Sequence, residues 1–134
     1  SLQAAILNFR LLNLKKIINK RRKNVESYLK YLNLKKIYFP LEKLAEFNTY
    51  HTFVIQVDRR DELKNFLKKR GIDTTIHYPV PIHLQTASKY LGYKKGSFPE
   101  TENQAKKILT LPIHQYLEQK DILRISKTIN EFFK

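Results

Sequence analysis

The feature that most constrains the fold is residues 70–85, RGIDTTIHYPVPIHLQ, in which two prolines follow closely on a glycine. Gly71 ends a lysine-rich helical pattern and precedes an extended segment, so we expect it to adopt the left-handed conformation that ends many helices. Pro79 and Pro81 each remove a backbone donor and favour extended geometry in the residue before them. The sequence therefore predicts a strand over residues 72–78 that continues into a rigid strip leaving the sheet.

This strip carries three candidate functional side chains, His77, Tyr78 and His83. Two imidazoles and a phenol can donate or accept hydrogen bonds near neutral pH, which suits a binding site. The alternative is a turn that holds a partly buried histidine and tyrosine. Short motifs of this kind do not by themselves decide between the two interpretations.

Length and composition indicate a single domain. The chain has 134 residues, 42% of them hydrophobic, which is enough for one compact core. There is no cysteine and the four histidines are scattered, so we expect neither a disulfide nor a structural metal. The sequence has no apolar run of membrane-spanning length and no hydrophobic leader. We therefore expect a cytoplasmic protein.

The charge is strongly positive, with 26 lysines and arginines against 12 acidic residues and a net charge of +14. Such a balance favours phosphate-bearing partners, among them nucleic acid. A basic cluster lies on the polar side of the first predicted helix and comprises Lys15, Lys16, Lys20, Arg21, Arg22 and Lys23. No aromatic residues interleave with it as a base-stacking surface needs. We interpret it as a solvated face or a face for an acidic partner domain, and a nucleic-acid-binding module remains an alternative.

Hydrophobic periodicity predicts four longer helices, at residues 2–32, 58–70, 97–109 and 118–133. Asp58 is predicted to cap the second helix, with Leu63, Phe66 and Leu67 on its buried face. Ser97 and Glu100 have the spacing of a capping box at the start of the third.

Alternation over residues 50–58, YHTFVIQVD, predicts a strand. His51 falls on its more apolar face, which favours a packed core histidine. A further extended piece is expected at residues 111–114. Together these elements predict an α/β fold with a small, largely antiparallel sheet flanked by helices.

Blocks of this sequence, in this order, resemble the DegT/DnrJ/StrS family of sugar aminotransferases, which use pyridoxal phosphate on fold type I. The blocks are LQAAIL at residues 2–7, YHTFVIQVDRRDEL at 50–63, RGIDTTIHYPVPIHLQ at 70–85, LGYKKGSFPETE at 91–102 and LTLPIH at 109–114. They cover nearly the whole chain, and HYPVPIHLQ is the most specific.

The resemblance implies that the chain is the C-terminal part of a longer enzyme, which is also what its abrupt helical start leads us to expect. Residues 1–33 would form a bridging helix and residues 34–134 a small α/β domain. Similar enzymes form homodimers and transfer an amino group, usually from glutamate, to a nucleotide-linked keto sugar. Their products feed lipopolysaccharide and other surface glycans.

The resemblance also implies that different parts of such an enzyme bind the cofactor and the sugar substrate. Most ligands of pyridoxal phosphate, including the lysine that attaches it, would lie upstream, so we expect no transaminase activity from this chain alone. His77, Tyr78 and His83 would line the entrance for the nucleotide-sugar substrate, near loops of a dimer partner. A regulatory interaction module that kept only the fold is a further alternative.

Overall fold

Two short antiparallel strands lie at the centre of the fold in this computed structural model, which describes residues 1–134. Strand β1, Phe53–Gln56, pairs with β2, Ile108–Leu111, with Phe53 opposite Leu111 and Gln56 opposite Ile108. In β1 the alternate residues Phe53 and Ile55 are completely buried, so the period-two pattern correctly identified the strand. The predicted α/β class with an antiparallel sheet is confirmed.

The predicted strand over residues 72–78 is largely wrong. Its single ladder contact is an isolated bridge between Thr75 and Thr110, beside β2. The amide of Ile72 bonds back to the carbonyl of Leu67 and completes the end of the preceding helix, while Pro79 has no amide to offer. The amide of Ile72 before Thr75 and the nitrogen of Pro79 after it are therefore unavailable for pairing with β2.

The chain also forms five α-helices. They are α1, Leu2–Leu11; α2, Leu14–Tyr31; α3, Arg60–Lys69; α4, Pro99–Lys107; and α5, Gln119–Phe132. The long helix predicted over residues 2–32 is interrupted at Leu12 and Asn13, where the amide of Asn13 bonds the carbonyl of Arg10, three residues back, before the second helix begins. None of these helices combines the length and the apolarity needed to cross a bilayer.

The core is built where α2 and α5 pack against the sheet. Tyr28 of α2 is fully buried and stacks on Phe53 with ring centroids 5.0 Å apart. Its hydroxyl donates to the carbonyl of Pro112 at 3.0 Å, so the polar end of a buried ring is satisfied. From α5, Ile122 and Ile129 complete this core.

The apolar face predicted for helix α3 is buried, with one difference. Leu63 and Leu67 are fully buried, but Phe66 is only half-buried and packs against Phe132 with ring centroids 5.3 Å apart. Gly71 has a φ of +68°, as predicted for the residue that ends this helix. Asp58 does not cap it and instead pairs with Lys107 at 2.8 Å.

The start of α4 also differs from its predicted cap. Pro99 occupies the first turn as expected, but no side chain caps this helix. The Ser97 hydroxyl accepts from the amide of Lys94 at 3.0 Å within the preceding loop, so it is not available to the helix. This helix ends at Lys107 because the next four residues extend to form β2.

His51 is exposed and lies before β1 rather than within it. The chain turns at Tyr50, whose φ is +49°, and pairing with β2 begins only at Phe53. The prediction of a packed core histidine at this position is therefore wrong.

Candidate functional site

His77 is held to the sheet by its side chain. Its Nδ1 atom lies 3.0 Å from Oγ1 of Thr110, which is 7% exposed and belongs to β2. The backbones of Thr75 and Thr110 bond to each other in both directions at 3.2 and 2.7 Å. The imidazole is thus fixed by a buried hydroxyl at a well-anchored strand position, and its Nε2 has no protein partner.

Tyr78 extends directly from this anchored histidine into solvent. The peptide bond between the two residues is cis, and their rings meet edge to face with centroids 5.8 Å apart. Tyr78 is 76% exposed, and no protein group bonds its hydroxyl. A shallow cleft begins at its ring and is lined by Tyr78, Pro79, Val80, Leu84, Gln85 and Thr86.

His83 is placed differently from these two residues. It lies in a short 3₁₀ helix, Ile82–Leu84, and is only 9% exposed. Its Nε2 lies 2.9 Å from Oε1 of Glu102 in α4, and its ring packs edge to face against Phe98 at 4.9 Å. The structure therefore groups His77 with Tyr78 on the surface and buries His83, whose contact with a substrate stays a prediction.

Glu102 is the carboxylate at the base of this region. It accepts from the backbone amide of Gly96 at 2.7 Å as well as pairing with His83. The hydrogen bond with His83, followed by that with the Gly96 amide, lowers the pKa of the Glu102 carboxyl below its usual value. The side chain thus favours its charged form although it is largely enclosed.

Sequence reasoning identified neither Glu102 nor Thr110 as part of this region. Glu102 lies 19 residues from His83, and Thr110 lies 33 residues from His77. Neither separation has a helical or strand period that would bring the partners together. The one available signal was a polar threonine within the apolar sequence of β2, ILTL.

The basic cluster is divided in two by the structure. Lys15, Lys16, Lys20 and Lys23 line an open cleft between α1 and α2, where Phe9 and Tyr116 also lie. Arg22 instead turns to the other side and forms a two-pronged ion pair with Glu42, at 2.8 and 2.7 Å. The predicted solvated face therefore describes the lysines but not Arg22. It does not describe Arg21 either, which is half-buried and donates to the carbonyl of Tyr50 at 3.5 Å.

The chain matches the model of the DegT/DnrJ/EryC1/StrS aminotransferase family over residues 1–130. It is 37% identical to a dTDP-3-amino-3,4,6-trideoxy-alpha-D-glucose transaminase of Streptomyces venezuelae, across 98% of this chain and 35% of that protein. It is 35% identical to a pleiotropic regulatory protein of Geobacillus stearothermophilus, across 99% of this chain and 37% of that one.

Solved structures give the same result. The crystal structure of S. venezuelae DesV in complex with a ketimine intermediate superposes with a TM-score of 0.92 at 37% identity, over 97% of this chain and 35% of that one. An aminotransferase from Brucella abortus gives a TM-score of 0.87 at 32% identity, again over 97% of this chain and 35% of its own. This chain spans about a third of the length of these relatives. The chain belongs to the DegT/DnrJ/EryC1/StrS aminotransferase family.

Proposed function

We propose that this chain is the C-terminal part of a pyridoxal-phosphate-dependent enzyme that transfers an amino group, supplied by glutamate, to a nucleotide-linked keto sugar. The observation that carries this proposal is the fit to S. venezuelae DesV along 97% of the chain. Relatives named as transaminases of dTDP-linked amino sugars support the substrate class. A relative named as a UDP-2-acetamido-2-deoxy-3-oxo-D-glucuronate aminotransferase extends it to UDP-linked sugars.

Within that protein we propose that residues 1–33 bridge to the remainder and residues 34–134 form the small domain. Helix α1 has no buried residue in the isolated chain. Its exposed large apolar side chains are Leu2, Ile6, Leu7, Phe9 and Leu11. An apolar surface of this kind usually meets another protein surface, which supports a role for α1 in joining two parts of a larger homodimeric enzyme.

His77 and Tyr78 are the residues that we assign to the nucleotide-sugar entrance. The Nε2 of His77 and the hydroxyl of Tyr78 are both free of protein partners and lie on adjacent side chains. An imidazole and a phenol can each donate or accept, so they can bond sugar hydroxyls or phosphate oxygens without a fixed charge. His83 belongs to the same strip and attaches it to α4 through its contact with Glu102.

We propose that the lysine that attaches pyridoxal phosphate lies outside this chain, and the exposure of the lysines in the chain supports this. When bound, that cofactor supplies the electron sink for amino transfer, and it is held by a lysine enclosed within the site. Here every lysine is exposed except Lys64 and Lys107, which are half-buried. Lys107 is paired with Asp58. We therefore assign to this chain contacts with the sugar substrate and no step of the amino transfer itself.

A regulatory protein is the second candidate, because the relative from G. stearothermophilus is named as one at 35% identity over nearly all of this chain. Such a protein would keep the fold and lack amino transfer. The two candidates therefore differ in a single assay of the complete protein with glutamate and a nucleotide-linked keto sugar.

The assignment of His77 is tested by His77→Ala in the complete enzyme, with the two half-reactions measured separately. We expect kcat/KM for the nucleotide sugar to fall roughly tenfold to a hundredfold, which corresponds to one or two lost hydrogen bonds. The half-reaction of glutamate should change much less. His51→Ala, which removes an exposed histidine with no hydrogen bond, is the matched control. Equal losses in both half-reactions, together with a lower melting temperature, would assign His77 a structural role instead.

A further inference from the structure

The segment from Tyr78 to Leu91 is weakly tied to the rest of the domain. Most of its hydrogen bonds are internal, such as those from the amide of Leu84 to the carbonyl of Pro81 and from the amide of Gln85 to the carbonyl of Ile82. Apart from the bond that the amide of the adjoining Gly92 donates to the carbonyl of Lys89, its one hydrogen bond to a residue outside the segment joins His83 to Glu102. The position of this strip on the domain therefore depends on a single polar contact and on apolar packing around it.

The same carboxylate holds a second loop. Residues 92–98 contain Gly92 and Gly96, both with positive φ, and connect the strip to α4. The Gly96 amide donates to Oε1 of Glu102, the atom that also meets His83. One oxygen atom thus joins two neighbouring segments to the helix that carries it.

Aromatic rings also pack beside this carboxylate. Phe98 lies edge to face with His83 on one side and with Tyr93 on the other, each with ring centroids 4.9 Å apart. Removal of Glu102 would leave the Nε2 of a buried histidine without a partner, which costs more than the mere loss of a surface contact. The packing alone would then have to hold both segments.

We propose that Glu102 is a positioning residue for the nucleotide-sugar site. It does not touch the substrate but fixes His83 and Gly96, and through them the strip that presents Tyr78. This inference rests on the proposed function of His77 and Tyr78. It also assigns His83 to the support of the strip rather than to direct contact with the sugar nucleotide.

Hydrogen exchange tests the structural part of this proposal in the 134-residue chain without any ligand. In Glu102→Ala, amides of residues 78–98 should exchange roughly fivefold to thirtyfold faster, since a lost hydrogen bond favours local opening. Glu102→Gln should restore part of the protection, because an amide oxygen still accepts from Gly96. Glu100→Ala removes an exposed carboxylate from the same helical turn and is the control. Unchanged exchange in Glu102→Ala and Glu102→Gln would overturn the proposal.

Kinetics of the complete enzyme test the functional part. Glu102→Ala should raise KM for the nucleotide sugar roughly fivefold to thirtyfold, with a much smaller change for glutamate, and Glu102→Gln should recover part of the loss. His83→Ala combined with Glu102→Ala should be little worse than Glu102→Ala alone, because both substitutions break the contact between His83 and Glu102. Additive losses would mean that His83 binds substrate itself, and they would overturn its assignment as a support.

The His77→Ala variant distinguishes the positioning role of Glu102 from the proposed function. If Glu102→Ala loosens the strip without changing KM while His77→Ala weakens the nucleotide-sugar step, the positioning role is wrong and the proposed function stands. If neither variant affects the nucleotide-sugar half-reaction, the assignment of His77 and Tyr78 to its site is wrong and the positioning role fails with it. Absence of amino transfer from the unchanged complete protein would instead overturn the proposed function.

Discussion

The Nδ1 atom of His77 lies 3.0 Å from Oγ1 of Thr110, so a buried threonine of β2 fixes the ring of an exposed candidate binding residue. Thr110 also bonds the backbone of Thr75 in both directions. The imidazole is therefore bonded to a strand residue, Thr110, that is itself held to Thr75 by two backbone hydrogen bonds, and the free Nε2 of His77 has a defined direction. Such support reduces the entropy that a binding side chain loses when it meets its ligand.

Thr110→Val tests this support because valine has nearly the same shape and lacks the hydroxyl. We expect the free energy of unfolding of the chain to fall by no more than about 0.5–1.5 kcal/mol, the usual net worth of one hydrogen bond. KM for the nucleotide sugar in the complete enzyme should nevertheless rise, since the imidazole is no longer held. Thr101→Val, at an exposed position of α4, is the control. An unchanged KM would show that the hydroxyl does not orient the ring for binding.

Some local patterns in the sequence predicted local structure correctly. Gly71 has the positive φ expected of a residue that ends a helix, and alternation placed Phe53 and Ile55 in the core. The strand over residues 72–78 failed because ladder formation depends on which amides remain free, and Ile72 had already bonded to Leu67. A side-chain pattern does not record that competition.

The support of the candidate site could not be predicted because it consists of contacts between distant parts of the chain. Asp58 illustrates the difficulty: its type and position favour a helix cap, but Lys107 lies close enough in the fold to pair with it. Glu102 likewise has the sequence context of an ordinary first-turn acid. Its role depends on where His83 and Gly96 come to lie.

Helix α3 provides a direct test of burial as the source of stability. Leu67→Ala should lower the free energy of unfolding by about 2–5 kcal/mol, because it leaves a cavity at a completely buried position. Phe66→Ala should cost less, about 1–3 kcal/mol, because Phe66 is half-buried against Phe132. Urea unfolding with unchanged m-values measures both. A larger loss for Phe66 than for Leu67 would contradict the burial seen here.

The assignment of amino transfer to another part of the enzyme is tested with this chain alone. After incubation with pyridoxal phosphate and reduction with borohydride, we expect only slow, unsaturable labelling spread over the exposed lysines. The chain has no enclosed lysine that would favour one position. Peptide mapping by mass spectrometry measures the distribution. Saturable labelling of one lysine would contradict the assignment.

The loop before β1 is held by an ion pair with a strongly shifted carboxyl group. The two terminal guanidinium nitrogens of Arg22 donate to Glu42, at 2.8 and 2.7 Å, and the amide of Asn48 donates to the same carboxylate. The hydrogen bond with Arg22 is the main cause that lowers the pKa of Glu42 from 4.5 to about 2, and the Asn48 amide is the next. The fold therefore favours the charged carboxylate.

This shift predicts a specific loss of stability in acid. The pKa of Glu42 is lower in the folded than in the unfolded chain, so its contribution is fully present above about pH 4.5 and is lost as pH falls toward 2. Glu42→Gln should be less stable than the unchanged chain at pH 7, and the difference should shrink as pH falls through this window. Urea unfolding at a series of pH values measures the difference. Glu131→Gln, which removes an exposed carboxylate without partners, should show no such convergence. A constant difference for Glu42→Gln between pH 7 and pH 2 would mean that the carboxylate is not stabilised by Arg22 in the folded chain.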